Sequence, residues 1–141
     1  MKLDPRLEVD STFVTNLNLC QVRLHHNAVF PWTILVPNRD DIIEIIDLNS
    51  ADQLLLMKEM SLMSEVMCHL YRPTKLNVAN LGNVVPQLHI HIIARFSHDK
   101  AWPGSVWNSG LSEPYTLSSK EKNIAQLKTT IQMLNNGESL D

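Results

Sequence analysis

The 141-residue chain contains little of what several enzyme and binding classes require. Its four glycines form neither a P-loop nor a paired-glycine dinucleotide fingerprint, and no Gly-x-Ser-x-Gly elbow for a catalytic serine is present. Cys20 and Cys68 lie outside a Cys-x-x-Cys pattern and are expected to be reduced and buried. No apolar run is long enough to span a bilayer, and residues 1–6 lack the hydrophobic region of a signal peptide. We therefore expect a cytoplasmic protein without a membrane partner.

The balance of charge excludes one further class of partner. A net charge of −3 and a pI near 6.0 do not provide the basic surface that extended nucleic acid requires. A small nucleotide, whose phosphates are held locally, remains compatible with this balance. The length and the 44% hydrophobic content predict a single domain over residues 1–141, with a core over about 1–110 and a C-terminal helix over about 118–136.

Periodicity and turn residues predict an order of short helix, strands, long helix, strands, loop and helix. The first part comprises a helix over residues 5–9 capped by Asp4, strands over residues 17–24 and 30–36 that form a hairpin, and a helix from a Ser50 capping box to Tyr71. Strands over residues 75–79 and 87–95 follow, then a loop over residues 97–114 and a helix from a Ser118 capping box to about Gly137. Tight turns join adjacent strands, so the sheet should be largely antiparallel and the fold class α+β.

Methionine and leucine recur at helical spacing along the long helix. The stripe comprises Leu54, Met57, Met60, Met63, Met67 and Leu70. Because methionine fills irregular gaps against a sheet, we expect this stripe to lie in the core rather than to form a binding surface.

The most informative stretch is residues 87–95, where polar and apolar residues alternate with a period of two. In a strand this period places Gln87, His89 and His91 on one face, with successive side chains about 6.5–7 Å apart. An edge strand carrying two unrelated surface histidines is the simpler alternative. Two imidazoles in phase beside an amide favour a site.

Imidazole chemistry suits such a row because the unperturbed pKa of histidine, about 6.5, allows it to act as nucleophile or general acid near neutral pH. If His89 presents one ring nitrogen to a substrate, the other must donate its proton, and a carbonyl of the neighbouring strand is the expected acceptor. His91 is then placed to contact phosphate or a leaving group, and Gln87 to orient substrate or ring. The amides of Val84 and Val85 lie close to the strand start and are candidates for binding an anion.

A metal site is the main alternative for a His-x-His pair. Zinc or iron would need a third protein ligand, and His25, His26, His69, His98 and Cys68 are available if the fold brings them close. None has a spacing typical of a metal site. We therefore expect neither a bound metal nor another cofactor, and keep a metal-dependent enzyme as the alternative.

Residues 87–93, Gln-Leu-His-Ile-His-Ile-Ile, resemble the signature of the histidine triad (HIT) family, His-φ-His-φ-His-φ-φ, where φ is apolar. Residues 32–37 resemble the family's hairpin strand that ends in Val-Pro, and residues 75–82 the strand and turn before the signature. Residues 101–104 are similar to the tryptophan-proline segment after it. With Gln87 in the first triad position, the chain most resembles a bacterial HIT-like, diadenosine-tetraphosphate-hydrolase-like branch.

The resemblance implies an α+β HIT-like fold, with an antiparallel sheet of about five strands, one long helix and a C-terminal helix. It also implies a homodimer whose sheet continues across the interface. The implied reaction is attack on the α-phosphorus of a nucleotide, giving a nucleotidyl-histidine intermediate that water resolves. A nucleotide-binding module with little turnover is the second alternative.

Position by position, the resemblance assigns the nucleophile to His89 and the contact with phosphate and leaving group to His91. Asn77 matches a polar ligand-binding position, and Asn27 a residue that holds nucleotide or orients the histidines. The chain departs from the family at Gln87, which cannot titrate, and at residues 84–86, where the family often has a serine or threonine. These departures concern rate and substrate range more than reaction class.

Overall fold

A computed structural model describes residues 1–137, so the last four residues of the predicted domain over 1–141 lie outside the described part. The structure has five strands: β1 Ser11–Asn16, β2 Cys20–His25, β3 Trp32–Pro37, β4 Lys75–Asn80 and β5 Ile90–Arg95. They form one antiparallel sheet in the order β1-β2-β3-β5-β4. The helices are α1 Pro5–Asp10, α2 Ser50–Tyr71 and α3 Leu117–Asn135, with a 3₁₀ turn at Ile45–Asp47. The predicted α+β class with a five-stranded antiparallel sheet is confirmed.

The predicted N-terminal hairpin forms, but its strands are displaced along the chain. β2 pairs antiparallel with β3, and β2 begins at Cys20 rather than at residue 17. Residues 17–19 belong to the preceding turn, in which the Leu17 N–H donates to the Cys20 carbonyl at 2.7 Å. Glu59 of α2 fixes this turn because its carboxylate accepts from the N–H groups of Leu19 and Cys20, both at 2.8 Å.

β1 is an outer strand that the sequence did not reveal. It pairs with β2, and its register shifts between Phe13 and Thr15. The shift interrupts the regular alternation of buried and exposed residues by which a strand is recognised in sequence.

Both predicted capping boxes are wrong by one or two residues. The N-cap of α2 is Asn49, whose side chain accepts from the Asp52 N–H, and Ser50 is the first helical residue. The N-cap of α3 is Thr116, which accepts from the Ser119 N–H. In contrast, Asp4 caps α1 as predicted, accepting from the Arg6 N–H.

Helix α2 covers one face of the sheet, hereafter the helix face. The predicted stripe is half right, because Met63 and Met67 are fully buried whereas Leu54 and Met57 are 68% and 60% exposed. Leu56 and Val66 take their places in the core, so the buried face of α2 is rotated from the predicted one. The buried core on this side comprises Val14, Leu19, Cys20, Val22, Leu24, Leu35, Leu48, Leu56, Met63, Val66, Met67, Leu88, Ile90, Ile92, Ala94, Leu127 and Ile131. The expectation of two buried cysteines is wrong for Cys68, which is exposed.

Helix α3 extends this core by packing against α2 of the same chain. Its predicted apolar positions face inward, with Leu127 and Ile131 buried and Ile124 and Leu134 partly buried. Across residues 1–137, no helix has the length and hydropathy needed to cross a membrane.

The opposite face of the sheet, hereafter the histidine face, carries a different set of side chains. Trp32, Ile34 and Ile93 project from it and pack with Leu7 of α1 and Val106 of the loop after β5. Short segments rather than a long helix therefore cover the face on which the sequence places the histidines.

Candidate active site

The histidine row consists of Gln87, His89 and His91. It begins in the segment before β5 and continues into the strand. The strand predicted over residues 87–95 starts three residues too early: β5 begins at Ile90, and Gln87 and His89 lie in a lead-in segment before it. The Leu88 N–H fixes this segment by donating to the Ile42 carbonyl at 2.9 Å. The alternation nevertheless extends through the lead-in, with Leu88, Ile90 and Ile92 in the helix-face core. The rings of His89 and His91 lie 4.8 Å apart, centroid to centroid, in an edge-to-face arrangement.

The tautomer of His89 follows from the hydrogen bond between its ring and the backbone. Its Nδ1 lies 2.7 Å from the backbone carbonyl of Gln87, and a carbonyl oxygen can only accept. Nδ1 therefore carries the proton, and the neutral ring has its lone pair on Nε2. The acceptor belongs to the same segment, so the expectation of a carbonyl on the neighbouring strand is wrong.

The free nitrogen of His89 reaches the surface. The residue is 5% exposed, and within residues 1–137 its Nε2 makes no hydrogen bond. Because no buried side-chain nitrogen or oxygen in these residues lacks a partner, Nε2 must retain some access to solvent. A neutral imidazole with Nδ1 held and Nε2 open has the arrangement that a nucleophile requires.

His91 has the opposite tautomer. The indole N–H of Trp32 donates to its Nδ1 at 3.0 Å, and an indole nitrogen can only donate. The proton of neutral His91 must then lie on Nε2, which is 3.4 Å from the Leu81 carbonyl. Two histidines on one face are thus held in complementary states: Nε2 of His89 carries a lone pair, and Nε2 of His91 carries a hydrogen.

Burial keeps both rings neutral. It lowers the pKa of His91 to about 3, and proximity to His89 contributes to the shift. Burial also lowers the pKa of His89, which the Gln87 carbonyl and the Asp4 carboxylate partly oppose. Near pH 7 the pair therefore presents a lone pair and an N–H donor rather than two imidazolium cations.

Gln87 contacts the N-terminal segment with its side chain. Its Oε1 accepts from the Asp4 N–H at 2.7 Å, and its Nε2 donates to the Lys2 carbonyl at 3.2 Å. Arg6 adds a second connection, because its guanidinium pairs with the Asp4 carboxylate and donates to the Val84 carbonyl at 2.7 Å. The residue in the first triad position therefore anchors residues 2–6 beside the row.

The two predicted asparagines lie on the side of the histidine face, but their side chains hydrogen-bond to groups that hold the surrounding loops. Asn27 is buried, accepts from the Val29 and Glu113 N–H groups, and donates to the Leu111 carbonyl at 2.9 Å. Asn77 pairs with Ile93 in the register of β4 and β5, and its Oδ1 accepts from Arg95 at 3.0 Å.

The turn before the row places its two valines differently. Val84 is 75% exposed, whereas Val85 packs into the histidine-face cluster with Leu7 and Trp32. Gly82 allows this turn to close, because a Cβ at that position would lie 2.8 Å from the Val85 carbonyl oxygen.

A buried ion pair fixes the loop after β5. Arg95 is 1% exposed and binds the Asp99 carboxylate through Nε at 2.8 Å and a terminal nitrogen at 3.0 Å. The Arg95 guanidinium holds the pKa of Asp99 down to about 2. Arg95 also lies beneath the rings of Phe30 and Trp102, 5.2 and 5.8 Å from their centroids. This network orders the loop whose Trp107 packs against the row.

The described residues do not assemble a metal site. Within residues 1–137, no three histidine, cysteine, aspartate or glutamate side chains come together as metal ligands. His91 uses both ring nitrogens within the protein, and the other predicted candidates, His25, His26, His69, His98 and Cys68, do not join it in such a cluster.

Comparison with known protein families shows to which of them the chain is related. The model of the HIT domain family matches residues 6–98. This chain belongs to the HIT family. No curated protein matches it significantly.

Solved structures of HIT proteins share the fold over nearly the whole chain. A histidine triad protein from Bradyrhizobium japonicum is 40% identical with a TM-score of 0.90, covering 92% of this chain and 97% of its own. One from Marinobacter aquaeolei VT8 is 41% identical with a TM-score of 0.90, covering 94% and 97%. One from Sinorhizobium meliloti 1021 is 40% identical with a TM-score of 0.88, covering 92% and 96%.

The sequence interpretation missed an aromatic group beside the triad of this HIT protein. The ring of His25 stacks on Trp32 at 3.9 Å and 7° between planes, and Trp107 packs edge-on against both Trp32 and His91. The sequence offers His25 only as a candidate metal ligand, and Trp32 only as part of a strand. The pairing register of β3 with β5 brings Trp32 to His91, and a single sequence does not state that register.

Two cavities adjoin the row. One, of about 490 Å³, is lined by residues 1–5, residues 39–43 and Gln87. The other, of about 420 Å³, lies between the turn at residues 25–27, Trp32, Trp107 and residues 112–114. His89 and His91 line neither of these two cavities, and each residue is 5% exposed.

Proposed function

We propose that this HIT protein is a nucleotide hydrolase or nucleotidyl transferase of the diadenosine-tetraphosphate-hydrolase-like branch. Its reaction is proposed to take place at the α-phosphorus of a nucleotide conjugate or dinucleoside polyphosphate. The observation that carries the proposal is the hydrogen bond from Nδ1 of His89 to the Gln87 carbonyl, which leaves the lone pair on Nε2.

In the first step, Nε2 of His89 attacks the α-phosphorus. A nitrogen–phosphorus bond forms as the bond from phosphorus to the leaving oxygen or nitrogen breaks. The modified ring carries a positive charge, which the Gln87 carbonyl stabilises by accepting from Nδ1–H. Water then attacks the same phosphorus, the nitrogen–phosphorus bond breaks, and the neutral ring is restored as the proton of the water passes to solvent.

His91 is proposed to donate from Nε2 to an oxygen of the phosphate or to the leaving group. The present acceptor of that N–H, the Leu81 carbonyl, lies at a long 3.4 Å. A charged phosphate oxygen is a stronger acceptor than a carbonyl, so exchange of partners on substrate binding is favourable.

The remaining predicted binding residues are proposed to act mainly by holding the histidines and the loops around them in place. Gln87 orients the His89 ring through its carbonyl, while Asn27 and Asn77 hold the loops around the row. The amides near Val84 and Val85 are proposed to approach a phosphate. We expect a small nucleotide as partner, a cytoplasmic location, and no metal cofactor for the nucleophilic step.

We also propose a homodimer in which the sheet continues through β4. Within residues 1–137 this strand pairs only with β5, and Val78 and Leu81 beside its outer edge are 42% and 37% exposed. Light scattering should give twice the 16.1 kDa of one chain, and Val78→Lys should reduce it. A wild-type mass of 16.1 kDa would contradict the dimer.

The reaction is tested by trapping the intermediate. The protein is mixed with adenosine phosphoramidate and, separately, with a dinucleoside polyphosphate, quenched in base, and digested for mass spectrometry. We expect an adenylyl group on the peptide containing His89, and a loss of roughly a thousandfold or more in kcat for His89→Ala.

The control is His69→Ala on the outer surface of α2, which should retain full turnover. Absence of adenylylated His89 with either substrate, together with nucleotide binding and no turnover above His89→Ala, would replace the proposal with a nucleotide-binding module. Stoichiometric zinc or iron that disappears in His91→Ala would instead support the metal-dependent alternative.

A further inference from the structure

Trp32 connects β3 to the last histidine of the row. It lies opposite Ile93 in the register of β3 and β5, so its side chain is a diagonal neighbour of His91 on the histidine face. Its Nε1–H donates to Nδ1 of His91 at 3.0 Å. We propose that Trp32 is a positioning residue, which holds His91 in the Nε2–H tautomer and thereby makes it a hydrogen-bond donor to the substrate.

The direction of the bond leaves one assignment for the neutral ring. Indole Nε1 has a hydrogen and no lone pair available to accept, whereas imidazole Nδ1 accepts only when it is unprotonated. Most histidine contacts are ambiguous because the partner can both donate and accept, as a hydroxyl or water can. Here the identity of the partner fixes the proton on Nε2 of His91.

The neighbouring rings hold the indole of Trp32 in one orientation. Trp32 is 5% exposed and lies between His25, stacked at 3.9 Å, and Trp107, which packs edge-on at 5.8 Å. The His25 ring is itself fixed, because its Nδ1 accepts from the Asn27 N–H at 3.0 Å. Rotation of the indole away from His91 would therefore disturb two neighbouring rings.

The bond also explains how His91 and His89 take different roles although they are equivalent in the sequence pattern. A carbonyl places the proton of His89 on Nδ1, and an indole N–H places that of His91 on Nε2. The nucleophile and the donor are thus distinguished by one neighbouring group each. This inference rests on the proposed function for its catalytic meaning, but not for the tautomer.

The tautomer is measured first, in the wild-type protein without substrate. Long-range proton–nitrogen correlation spectra of ¹⁵N-histidine-labelled protein should show His91 protonated on Nε2, with an acceptor-type nitrogen at Nδ1. A proton on Nδ1 of His91 would overturn the inference whatever the activity of the protein. This readout does not require that any variant folds.

The catalytic consequence is measured with Trp32→Phe, which removes the N–H and retains an aromatic ring. We expect the Nδ1 resonance of His91 to shift and kcat to fall roughly 10- to 100-fold with little change in KM, the size of effect seen when a group that orients a metal-ligating histidine is removed. Adenylylated His89 should still form, because His89 is oriented by Gln87.

The matched control is Trp107→Phe, which alters a ring in contact with His91 but removes no hydrogen bond to it. It should leave Nδ1 of His91 with an acceptor-type resonance, and His69→Ala on the outer surface of α2 is the control for kcat. Equal kcat for the wild type and Trp32→Phe would overturn the positioning role. If no variant and no wild-type sample adenylylates His89, the proposed function fails while the tautomer result stands independently.

Discussion

The two faces of the sheet are built from the same strands by different means. On the helix face, Leu88, Ile90 and Ile92 pack against the buried side of α2, and the contact is apolar and non-directional. On the histidine face, His89 and His91 alternate with those residues and are held by one or two directed hydrogen bonds each. One strand therefore contributes to the stability of the fold on one side and to its chemistry on the other.

The two faces should tolerate amino-acid substitutions differently. An aliphatic core accepts other apolar residues of similar volume at a modest cost in stability. A hydrogen-bonded ring has one donor or acceptor in the correct place, and no apolar residue reproduces it. The histidine face should therefore be sensitive to the identity of its polar groups, and the helix face to volume.

The largest effect should come from the ion pair beneath the histidine face. Replacing the buried Arg95 with Met leaves the Asp99 carboxylate, whose side chain is 9% exposed, without its cation. We therefore expect the free energy of unfolding to fall by about 3–5 kcal/mol in urea titrations. The more exposed pair of Arg6 and Asp4 is the control, and Arg6→Met should lower the free energy of unfolding much less. Similar losses in the two variants would contradict this distinction.

On the helix face, two methionines of α2 provide a matched pair. Met63→Ala removes a fully buried side chain and should lower the free energy of unfolding by about 2–5 kcal/mol. Met57→Ala changes a side chain that is 60% exposed and should alter it by no more than about 0.5 kcal/mol. Neither variant should change the His91 tautomer. Equal destabilisation by both would place Met57 in the core, contrary to the structure.

The pH dependence of stability distinguishes the faces, because only the histidine face buries imidazoles. The pKa values of His25 and His91 are lowered by burial to about 4 and about 3, against about 6.5 when unfolded. Between pH 6.5 and 4 the unfolded chain therefore binds more protons, and stability falls as the pH decreases, by up to about 1.4 kcal/mol per unit for each ring. Above about pH 7 this contribution should be constant.

Urea unfolding at pH 7, 6 and 5 measures that slope. In His25→Asn, the amide oxygen can still accept from the Asn27 N–H, while the titrating ring is absent. Its slope should be smaller than that of the wild type by up to about 1.4 kcal/mol per unit, whereas Met63→Ala should retain the wild-type slope. A wild-type slope in His25→Asn would show that this ring does not contribute.

The smallest effect should come from the hydrogen bond that holds the N-terminal segment, residues 2–6, beside the histidine row. Gln87→Ala removes the acceptor of the Asp4 N–H and should destabilise the N-terminal segment by about 1 kcal/mol. Hydrogen exchange at the Asp4 amide should then accelerate roughly fivefold, while amides of α2 remain unchanged. Gln126→Ala on the exposed side of α3 is the control. Unchanged exchange at Asp4 would show that Gln87 does not hold the segment.

Much of the fold could be predicted from the sequence because its signals are local. Asp4 before Pro5 marked the start of α1, and the long apolar pattern ending before Pro73 marked α2. β1 was missed because its register shift disturbs the alternation, and the true caps Asn49 and Thr116 lie just before the predicted ones. Several polar residues stand together at both helix starts, so composition alone does not select among them.

For the candidate site, the sequence identified the row but not its partners. The period of two separated His89 and His91 from the aliphatic residues without reference to any other strand. The contacts of Trp32, Asn77 and Arg95 depend on which strands pair and in what register, which involves residues about 18 to 59 positions apart. Non-local pairing of this kind leaves no periodic trace in either segment.

The order of residues is enough to predict the fold class, the two faces of β5 and the two imidazoles that share one of them, because backbone geometry fixes the direction of side chains along a strand. The protonation of each ring, the neighbours that hold it and the place of the N-terminal segment beside it depend on the folded chain. A histidine is the same residue in either tautomer, and the donor or acceptor that folding brings to its nitrogen selects one of them.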